Sequence, residues 1–312
     1  MDIYLAEPRG FCAGVGRAIS IVNLALEKFQ PPIYVRHEIV HNYHVVKELR
    51  EKGAIFVDDI ELIPEGTVTI FSAHGVSPDI RARAAARNLR IIDATCPLVT
   101  KVHTEAKRYA REGYHILLLG HRKHVEIEGT MGEAPNAITL VETLGDLDRL
   151  QLPPEKPIAI LTQTTLAVDD TQEMIKLIKE RFPEVVQPKA QDICFATTNR
   201  QKAVKELAKV CDLILVVGSA NSSNSNRLAE VARAQGVKSL LIDDVTELQL
   251  SELEGVRSLG ITAGASAPEF IVQNLLTWLA QHYPTRSIKT ISVSSEEAKF
   301  VLTNDLQNIN KV

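Results

Sequence analysis

The sequence lacks the features of a membrane protein, a secreted protein or a nucleic-acid-binding protein. No apolar run in its 312 residues approaches the roughly 18 residues that a membrane-spanning helix needs. The formal net charge is −4, which provides no electrostatic attraction to nucleic acid or to an anionic membrane. The first residues, Met1-Asp2-Ile3-Tyr4, carry neither the basic stretch nor the apolar segment of a signal peptide. We therefore expect a cytoplasmic protein whose partners include neither nucleic acid nor membrane.

Cysteine and aromatic residues are both scarce. Four cysteines in a cytoplasmic chain of this length do not indicate a disulfide framework. Aromatic residues make up 5% of the chain, but hydrophobic residues make up 45% and charged residues 24%, as in an ordinary globular protein. The length allows two or three domains with a sizeable core.

Short apolar segments alternate with stretches whose apolar residues follow the helical period. The segments are residues 3–6, 33–35, 68–71, 91–92, 116–119, 158–161, 213–217 and 240–242. Strands that alternate with helices predict an α/β fold with mostly parallel sheets. In such sheets, functional groups collect beyond the carboxyl ends of the strands.

Three cysteines occupy equivalent places in this pattern. Cys12, Cys96 and Cys194 each follow an apolar segment and precede a helical pattern, where the helix dipole favours a thiolate. Their regular recurrence predicts three similar α/β units that face one point. Cys211 instead continues the apolar face of a helix, and we interpret it as a core residue.

The domain boundaries are predicted to lie near the second and third of these cysteines. The predicted domains are residues 14–96, 97–193 and 194–281, with residues 1–13 packing on the third. Residues 282–312 form a C-terminal tail with an alternating pattern, which indicates a strand or an arm.

The three cysteines suggest a metal centre. A 4Fe-4S cluster normally takes four cysteines, so three would leave one iron open to a substrate. An open coordination position is what allows a metal to act as a Lewis-acid catalyst. From spacing alone, iron–sulfur ligation, zinc ligation and buried structural thiols all remain open.

Polar side chains follow several of the predicted strands. The candidates are His41, His74, His124, Ser222, Ser223, Asn224 and Ser266. The histidines could bind zinc or donate hydrogen bonds to an anion, or they could bind loop carbonyls. Small hydroxyl and amide groups before a helix suit a phosphate or diphosphate. The alternative for any one serine is a polar turn with a helix N-cap.

Glu126 and Thr164 are candidates for the chemical step. Glu126 lies beyond the same strand as His124, where it could donate and accept protons, or could be a solvated loop carboxylate. Thr164 could supply a positioning hydroxyl. A possible dinucleotide fingerprint begins at Gly14, but Ile19 stands in place of its third glycine, so no nicotinamide site is predicted.

Eight sequence stretches together resemble one known family. They are residues 8–15 (PRGFCAGV), 34–42 (YVRHEIVHN), 71–77 (FSAHGVS), 93–99 (DATCPLV), 125–130 (VEIEGT), 163–166 (QTTL), 196–201 (ATTNRQ) and 222–225 (SSNS). In this order, and along nearly the whole chain, they resemble the 4-hydroxy-3-methylbut-2-enyl diphosphate reductase family (IspH/LytB). Members of that family are iron–sulfur oxidoreductases of isoprenoid precursor synthesis.

The resemblance implies a fold and a set of site residues. The fold would be a trefoil of three similar α/β domains, with small mostly parallel sheets, around a central iron–sulfur cluster cavity. Cys12, Cys96 and Cys194 would hold one 4Fe-4S cluster with one open iron. The allylic diphosphate substrate would be bound by His41, His74, Ser222, Ser223, Asn224 and Ser266, with His124 nearby. Glu126 would deliver protons, and Thr164 would help to orient the substrate.

The resemblance also implies a reaction and a partner. The reaction is the reductive dehydroxylation of (E)-4-hydroxy-3-methylbut-2-enyl diphosphate to isopentenyl and dimethylallyl diphosphate, the last step of the non-mevalonate (MEP/DOXP) pathway. Reduced ferredoxin or flavodoxin would supply the electrons. Basic residues near the cysteines are candidates for the docking patch of that donor: Arg9, Arg17, Lys101 and Arg200.

Three other functions remain as alternatives. Quinolinate synthase has a comparable three-domain, three-cysteine design, but the Ser222-Ser223-Asn224 loop favours a diphosphate substrate. A non-catalytic iron–sulfur redox sensor is not supported, because the sequence shows neither a basic surface nor a DNA-binding pattern. A zinc hydrolase with cysteine and histidine ligands would be indicated by a colourless purified protein.

Overall fold

In the part of the chain that the structure describes, twelve strands and eleven α-helices follow one another, mostly in alternation. The computed structural model describes residues 1–150, 152–153, 155–284 and 286–308, so parts of the predicted middle domain and tail, residues 309–312 included, lie outside the described residues. The strands are β1 (Asp2–Glu7), β2 (Ile33–Arg36), β3 (Ala54–Val57), β4 (Val68–Phe71), β5 (Arg90–Asp93), β6 (His115–Leu119), β7 (Ile138–Val141), β8 (Ile158–Thr162), β9 (Leu213–Val217), β10 (Lys238–Ile242), β11 (Ser258–Ala263) and β12 (Ser287–Ser292).

The helices follow the strands in a βα alternation. They are α1 (Ala13–Phe29), α2 (Tyr43–Glu51), α3 (Pro78–Ala86), α4 (Pro97–Arg111), α5 (Val125–Glu133), α6 (Leu144–Asp148), α7 (Val168–Arg181), α8 (Phe195–Ala208), α9 (Ser223–Ala234), α10 (Glu269–His282) and α11 (Asp305–Asn308). Short 3₁₀ turns occupy Ile60–Leu62, Val245–Glu247 and Leu250–Leu253. Within the described ranges, no helix is both long and apolar enough to cross a membrane.

The strands form three small sheets. Their orders are β10-β9-β11-β1-β12, β3-β2-β4-β5 and β7-β6-β8, and the pairings are parallel. Parallel neighbours need a crossover connection, which the intervening helices supply. The predicted α/β fold with small parallel sheets is therefore confirmed.

The chain divides into two compact units. The first unit comprises Met1–Val15, His41–Lys47 and Phe195–Lys299, and it contains the five-stranded sheet. The second unit comprises Gly16–Val40, Glu48–Cys194 and the described residues after Lys299, and it contains the other two sheets. The predicted boundaries of residues 14–96, 97–193 and 194–281 stay predictions.

The sheet of the first unit is covered on both faces. Alternate residues of β9 point to opposite sides, so Leu213 and Leu215 pack with α10, while Ile214 and Val216 pack with α8 and α9. β1 lies between β11 and β12, with Asp2 opposite both Ser258 and Ser287. This placement directs the segment after β1, which contains Cys12, along the end of β11.

The second unit buries a layer on each face of its three-stranded sheet. One core joins β6, β7 and β8 to α4 and α5, and another joins the opposite face to α7. All five residues of β6 are buried, as expected for a strand covered on both faces. In the four-stranded sheet, Phe71 packs with Ile60 of a 3₁₀ turn and with Ile63, which follows the turn.

Three strands were not predicted from the sequence. β3 and β7 have only four residues each, and β11 contains Gly260 among its apolar residues. A strand this short carries too few alternations for its period to stand out from a loop. Pairing with neighbouring strands in the sheet stabilises these strands.

Candidate functional site

Three of the four cysteines lie immediately before a helix. Cys12 precedes α1, Cys96 is the N-cap of α4, and Cys194 precedes α8. Each is a partly exposed thiol. The partial positive charge of a helix N-terminus stabilises a thiolate, which is the form that binds iron. Their predicted location before a helix is confirmed, and their role as ligands stays a prediction.

Cys211 differs from these three thiols. It is buried among the apolar side chains of the first unit, packing with Val204 and Leu207. Burial raises the pKa of the Cys211 thiol to about 12, so the thiol stays protonated at neutral pH. The interpretation of Cys211 as a core residue is confirmed.

In the second unit, Cys96 lies beside the loop that carries His74. The Cys96 N–H donates to the Ala73 carbonyl at 2.9 Å. Ser72 Oγ and His74 Nδ1 share a hydrogen bond of 3.3 Å. The rings of His74 and His124 meet edge to face, with their centroids 5.9 Å apart. The unit thus groups one predicted thiol with two predicted histidines.

His124 is the N-cap of α5, and this role fixes its tautomer. Its Nδ1 accepts a hydrogen bond from the Glu126 N–H at 3.2 Å. A ring nitrogen that accepts a hydrogen bond carries no proton, so the proton of the ring lies on Nε2. His124 therefore holds a neutral N–H donor of the kind that an anionic ligand needs.

Glu126 is buried in the first turn of α5, where both of its carboxylate oxygens bind Thr164. The Thr164 N–H donates to Oε1 at 2.7 Å, and the Thr164 hydroxyl donates to Oε2 at 2.9 Å. Because Glu126 is only 3% exposed, the alternative of a solvated loop carboxylate is wrong. The sequence placed Glu126 in a loop, whereas the helix already begins at Val125, after its cap.

The burial of Glu126 determines its protonation. Desolvation raises the pKa of Glu126 to about 7, although the two hydrogen bonds from Thr164 lower it. The negative charge of Asp192 adds to the rise. A carboxyl group with this pKa is populated in both forms near neutral pH, as a group that donates and regains a proton must be.

Cys194 is tied to the same residues. Its N–H donates to the Thr164 carbonyl at 3.1 Å, so the backbone of Thr164 binds Cys194 while its side chain binds Glu126. The second unit therefore brings together six of the predicted site residues: Cys96, Cys194, His74, His124, Glu126 and Thr164.

Lys101 connects the helix that follows Cys96 to the segment that precedes Cys194. Its ammonium group donates to the carbonyls of residues 190 and 191 at 2.7 and 2.9 Å and to Asp192 at 2.9 Å. Asp192 also accepts from the Thr162 N–H at 3.1 Å. Burial raises the pKa of Asp192, and its contact with Lys101 opposes that rise.

In the first unit, the segment that carries Cys12 runs beside the end of β11. The Gly10 N–H donates to the Ala263 carbonyl at 3.2 Å, and the Cys12 N–H donates to the Ala265 carbonyl at 3.1 Å. The residue after Ala265 is Ser266, another predicted site residue. Cys12 and Ser266 therefore lie on neighbouring backbone segments.

The His41 segment is bound to this same unit. The Ser266 hydroxyl donates to the His41 carbonyl at 2.8 Å. The Tyr43 N–H donates to Ser219 Oγ at 2.9 Å, and His44 pairs with Asp244 at 2.9 Å. These long-range contacts explain why residues 41–47 belong to the first unit although β2 and β3 flank them in sequence.

Ser222, Ser223 and Asn224 form the N-terminus of α9. Ser222 is its N-cap and accepts from the Ser225 N–H at 3.3 Å, and its role as a diphosphate ligand stays a prediction. Asn224 Oδ1 accepts from the Ala265 N–H at 2.9 Å. The backbone N–H groups of this first helical turn form a typical anion-binding position.

Gly264 allows α9 to approach the end of β11. A Cβ atom on Gly264 would overlap the hydroxyl of Ser225, which is completely buried. The absence of a side chain at position 264 therefore sets how closely the serine-rich turn approaches the loop that carries Ser266.

One of the four basic residues predicted to contact the electron donor is buried. Arg200 is 0% exposed and cannot contact a partner, so that prediction is wrong. Arg9 pairs with Glu269 at 2.6 Å, and the Arg17 guanidinium donates to the Thr95 carbonyl at 3.1 Å. The ammonium group of Lys101 donates to residues 190–192. The remaining three residues thus also use their charged groups within the chain.

Sequence reasoning missed several residues that support the site. Gln163 is 1% exposed, and its Oε1 accepts from the His121 N–H at 3.0 Å, which holds the loop before α5. Asp192 was not singled out. For Gln163, an amide directly after a buried strand was the available signal.

The chemistry of three of the cysteines fits the ligands of an iron–sulfur cluster. In the described residues, no three His, Cys, Asp or Glu side chains surround one metal-ion position. The ligands of a cluster bind separate irons, and cysteine thiolates are its usual ligands. Three partly exposed thiols at helix N-termini match that chemistry, whereas the protonated thiol of Cys211 does not.

Comparison with known proteins gives consistent results. The model of the LytB protein family matches residues 3–280. The 4-hydroxy-3-methylbut-2-enyl diphosphate reductase of Rhodopirellula baltica is 54% identical over 98% of this chain and 96% of its own length. The reductase of the same name from Nocardia farcinica is 53% identical over 99% of this chain and 92% of its own length.

Two solved structures resemble the chain. The structure of the E-1-hydroxy-2-methyl-but-2-enyl-4-diphosphate reductase from Plasmodium falciparum superposes with a TM-score of 0.96 at 40% identity, covering 98% of this chain and 97% of that one. A second structure, described as (E)-4-hydroxy-3-methyl-but-2-enyl diphosphate reductase, superposes with a TM-score of 0.64 at 32% identity, covering 90% of this chain and 100% of that one. On the evidence of sequence and fold together, the chain belongs to the LytB protein family.

Proposed function

We propose that this chain catalyses the reductive dehydroxylation of (E)-4-hydroxy-3-methylbut-2-enyl diphosphate to isopentenyl and dimethylallyl diphosphate. Relatives that are more than half identical over nearly the whole chain bear the name of this reductase. One structural neighbour is described as the terminal enzyme of the non-mevalonate pathway. These names favour the reductase over the quinolinate synthase, redox-sensor and zinc-hydrolase alternatives.

The proposed cofactor is one 4Fe-4S cluster held by Cys12, Cys96 and Cys194, with one iron open. The support is the donor chemistry: three thiols, each at a helix N-terminus, and a fourth that burial keeps protonated. When bound, such a cluster supplies electrons one at a time and an open iron position for the substrate hydroxyl. The proposed source of the electrons is reduced ferredoxin or flavodoxin, and the proposed location is the cytoplasm.

Glu126 is the proposed proton donor, and its contact with Thr164 is the observation that carries the proposal. With a pKa of about 7, Glu126 holds a proton in a large share of molecules at neutral pH. A proton on Oε2 can be donated to the Thr164 hydroxyl, 2.9 Å away. The hydrogen of that hydroxyl can then turn toward the substrate. Protonation converts hydroxide, a poor leaving group, into water.

The proposed diphosphate ligands are His41, His74, His124, Ser222, Ser223, Asn224 and Ser266. His124 supports this role because its Nε2 carries the proton of the ring. The α9 N-terminus supports it because the positive end of a helix dipole favours an anion. Hydroxyl and amide side chains supply further donors without adding charge.

The first test is an anaerobic purification followed by an absorption spectrum, iron and sulfide assays, and turnover of the substrate. A brown protein with about four irons per chain that consumes the hydroxymethylbutenyl diphosphate supports the proposal. A colourless or zinc-bearing protein prepared without oxygen would refute the cluster. A loaded protein that does not turn over this substrate would refute the reaction alone.

The role of Glu126 is tested with Glu126→Gln and with Glu128→Gln as a matched control. Glu128 lies two residues further along α5, and its side chain is exposed. We expect a loss of kcat of about 10²-fold or more in Glu126→Gln, the usual range for a general acid. We expect the wild-type rate to fall above pH 7 as Glu126 ionises. Full activity of Glu126→Gln would contradict the assignment.

A further inference from the structure

Arg200 is a completely buried cation for which the proposed chemistry gives no role. It lies on α8, six residues after Cys194, and is 0% exposed. An isolated buried charge is strongly unfavourable unless it is paired and hydrogen-bonded, so a buried arginine needs a full set of partners. The partners of Arg200 come from two distant parts of the chain.

The first partner is the backbone just before Cys12. Arg200 Nε and Nη2 both donate to the Gly10 carbonyl, at 3.2 and 2.7 Å. In addition, the Gly10 N–H donates to Ala263 at the end of β11, and the Cys12 N–H donates to Ala265 in the loop that follows. The Cys12 segment is therefore held both by β11 with its following loop and by a single guanidinium group.

The second partner is the C-terminal tail. Arg200 Nη1 lies 3.0 and 3.2 Å from the two carboxylate oxygens of Glu296, and it also donates to the Ala196 carbonyl at 2.9 Å. Asn199 Nδ2 donates to the same carboxylate at 3.1 Å. Glu296 lies after β12, in a stretch without regular structure, and its side chain is only 13% exposed. The tail thus supplies a carboxylate that pairs with Arg200.

We propose that Glu296 and Arg200 form a latch through which the C-terminal tail holds the Cys12 segment in its ligating position. Arg200 is a positioning residue: it contacts the backbone of Gly10 and acts on the thiol through it. Glu296 keeps the guanidinium in place by neutralising its charge. This inference rests on the proposed role of Cys12 as a cluster ligand, but the latch itself can be tested on the thiol.

Guanidinium geometry is central to the latch. Arg200 uses three nitrogens at once, two for Gly10 and one for the Ala196 carbonyl and Glu296. A lysine has a single ammonium group and cannot reach both segments with a planar fork. Arg200→Lys is therefore expected to act as a loss of the latch, even though it conserves the charge.

Glu296→Gln is the main test, and Glu297→Gln is its matched control. Glu297 is the next residue, has the same side chain and is exposed. In the full-length metal-free chain, the rates at which a thiol reagent alkylates Cys12, Cys96 and Cys194 are measured by peptide mass spectrometry. We expect Cys12 to react about tenfold faster in Glu296→Gln, since a hydrogen bond to a charged group contributes roughly a factor of ten or more to an equilibrium. Cys96 and Cys194 are expected to react at wild-type rates.

The loaded protein provides a second readout that does not depend on activity. Iron release to a chelator under anaerobic conditions is expected to be about tenfold faster in Glu296→Gln and Arg200→Lys than in wild type and Glu297→Gln. A faster release with an unchanged melting temperature marks a local effect at the ligand, which a merely structural role would not produce.

Three outcomes would overturn the latch. They are equal alkylation of Cys12 in Glu296→Gln and wild type, a parallel rise at all three cysteines, and a Glu297→Gln variant that behaves like Glu296→Gln. If wild type binds no cluster at all, the proposed cofactor fails, whereas a selective rise at Cys12 would still establish the latch. The two proposals are thus separable.

Discussion

A single buried carboxyl group shows how residue-level energetics prepare this protein for proton transfer. Glu126 loses hydration in the second unit, and desolvation favours its neutral form. The two hydrogen bonds from Thr164 favour the ionised form and offset part of that effect. Desolvation is the larger of the two, and so the pKa rises to about 7 rather than falling. Without the hydrogen bonds from Thr164, the pKa of Glu126 would rise further and the group would stay protonated at neutral pH.

The stability of the protein should depend on pH through Glu126. Its usual pKa of 4.5 applies in the unfolded chain and rises to about 7 in the folded one. Between these values, the folded state retains a proton that the unfolded state has lost. The free energy of unfolding should therefore decrease as the pH rises from about 4.5 to 7, by at most about 1.4 kcal/mol per pH unit, and level off above.

Glu126→Gln isolates this contribution, because glutamine does not titrate. Urea unfolding of identically prepared wild type and variant at pH 5, 6, 7 and 8 gives the difference in stability. We expect the free energy of unfolding of the variant to increase relative to that of wild type as the pH rises. A difference that is the same at every pH would show that the pKa of Glu126 is not raised by folding.

At the scale of helices and strands, the site residues are held by contacts at helix N-termini. Cys96 and His124 are N-caps of α4 and α5, and Ser222 is the N-cap of α9. Each helix start is also tied to a neighbouring loop, as Cys96 is to Ala73. The positions of the functional groups therefore depend on elements distant in sequence, which makes single contacts between elements testable.

Lys101 should contribute measurably to stability. Its ammonium group makes three hydrogen bonds to residues 190–192 from a half-buried position. Lys101→Gln should lower the free energy of unfolding by about 2 kcal/mol, the range for hydrogen bonds to a charged group. Lys107→Gln, on the same helix, is the control. The Lys107 side chain is exposed and lies 3.6 Å from Glu133. Lys107→Gln should therefore lower the free energy of unfolding by less than about 1 kcal/mol. Equal losses would contradict this reasoning.

Gly264 should tolerate no side chain. In Gly264→Ala, the new methyl group would overlap the Ser225 hydroxyl at the start of α9, which should lower the free energy of unfolding by about 1–3 kcal/mol. Gly16→Ala is the contrast, because a Cβ atom there has no neighbour within 4 Å and the residue lies in α1. That variant should be about 0.5–1 kcal/mol more stable. Thermal and urea unfolding of both variants test whether the two changes in the free energy of unfolding have opposite signs.

At the scale of the whole molecule, the four cysteines divide into two kinds by environment. Cys12, Cys96 and Cys194 are partly exposed at helix N-termini in two different units, while Cys211 is buried in the core of one. The serine variants of the four residues separate ligation from packing.

Serine in place of Cys12, Cys96 or Cys194 should abolish or strongly reduce iron and sulfide content in anaerobic preparations. Cys211→Ser should keep the iron but lower the free energy of unfolding by about 1–3 kcal/mol, since it buries a hydroxyl group. Iron assays and urea unfolding on the same four preparations distinguish the two effects. A Cys211→Ser protein that loses its iron would refute the division.

Most of the architecture was predictable because it depends on local patterns. Runs such as residues 116–119 and 213–217 are long and apolar enough to identify strands, and the amphipathic periods between them identify helices. β3, β7 and β11 escaped prediction because short or glycine-containing strands owe their stability to their partners in the sheet. The residue types of the site were predictable for the same reason, because they recur directly after strands.

The sequence by itself determined the α/β class, the membership of the LytB protein family and the placement of three thiols before helices. The environment of each group was decided by the tertiary structure. The burial of Glu126 depends on Thr164, 38 residues away, and the burial of Arg200 depends on Gly10 and Glu296, 190 and 96 residues away. Periodicity reports only near neighbours, whereas pKa values and buried ion pairs arise from contacts that folding alone creates.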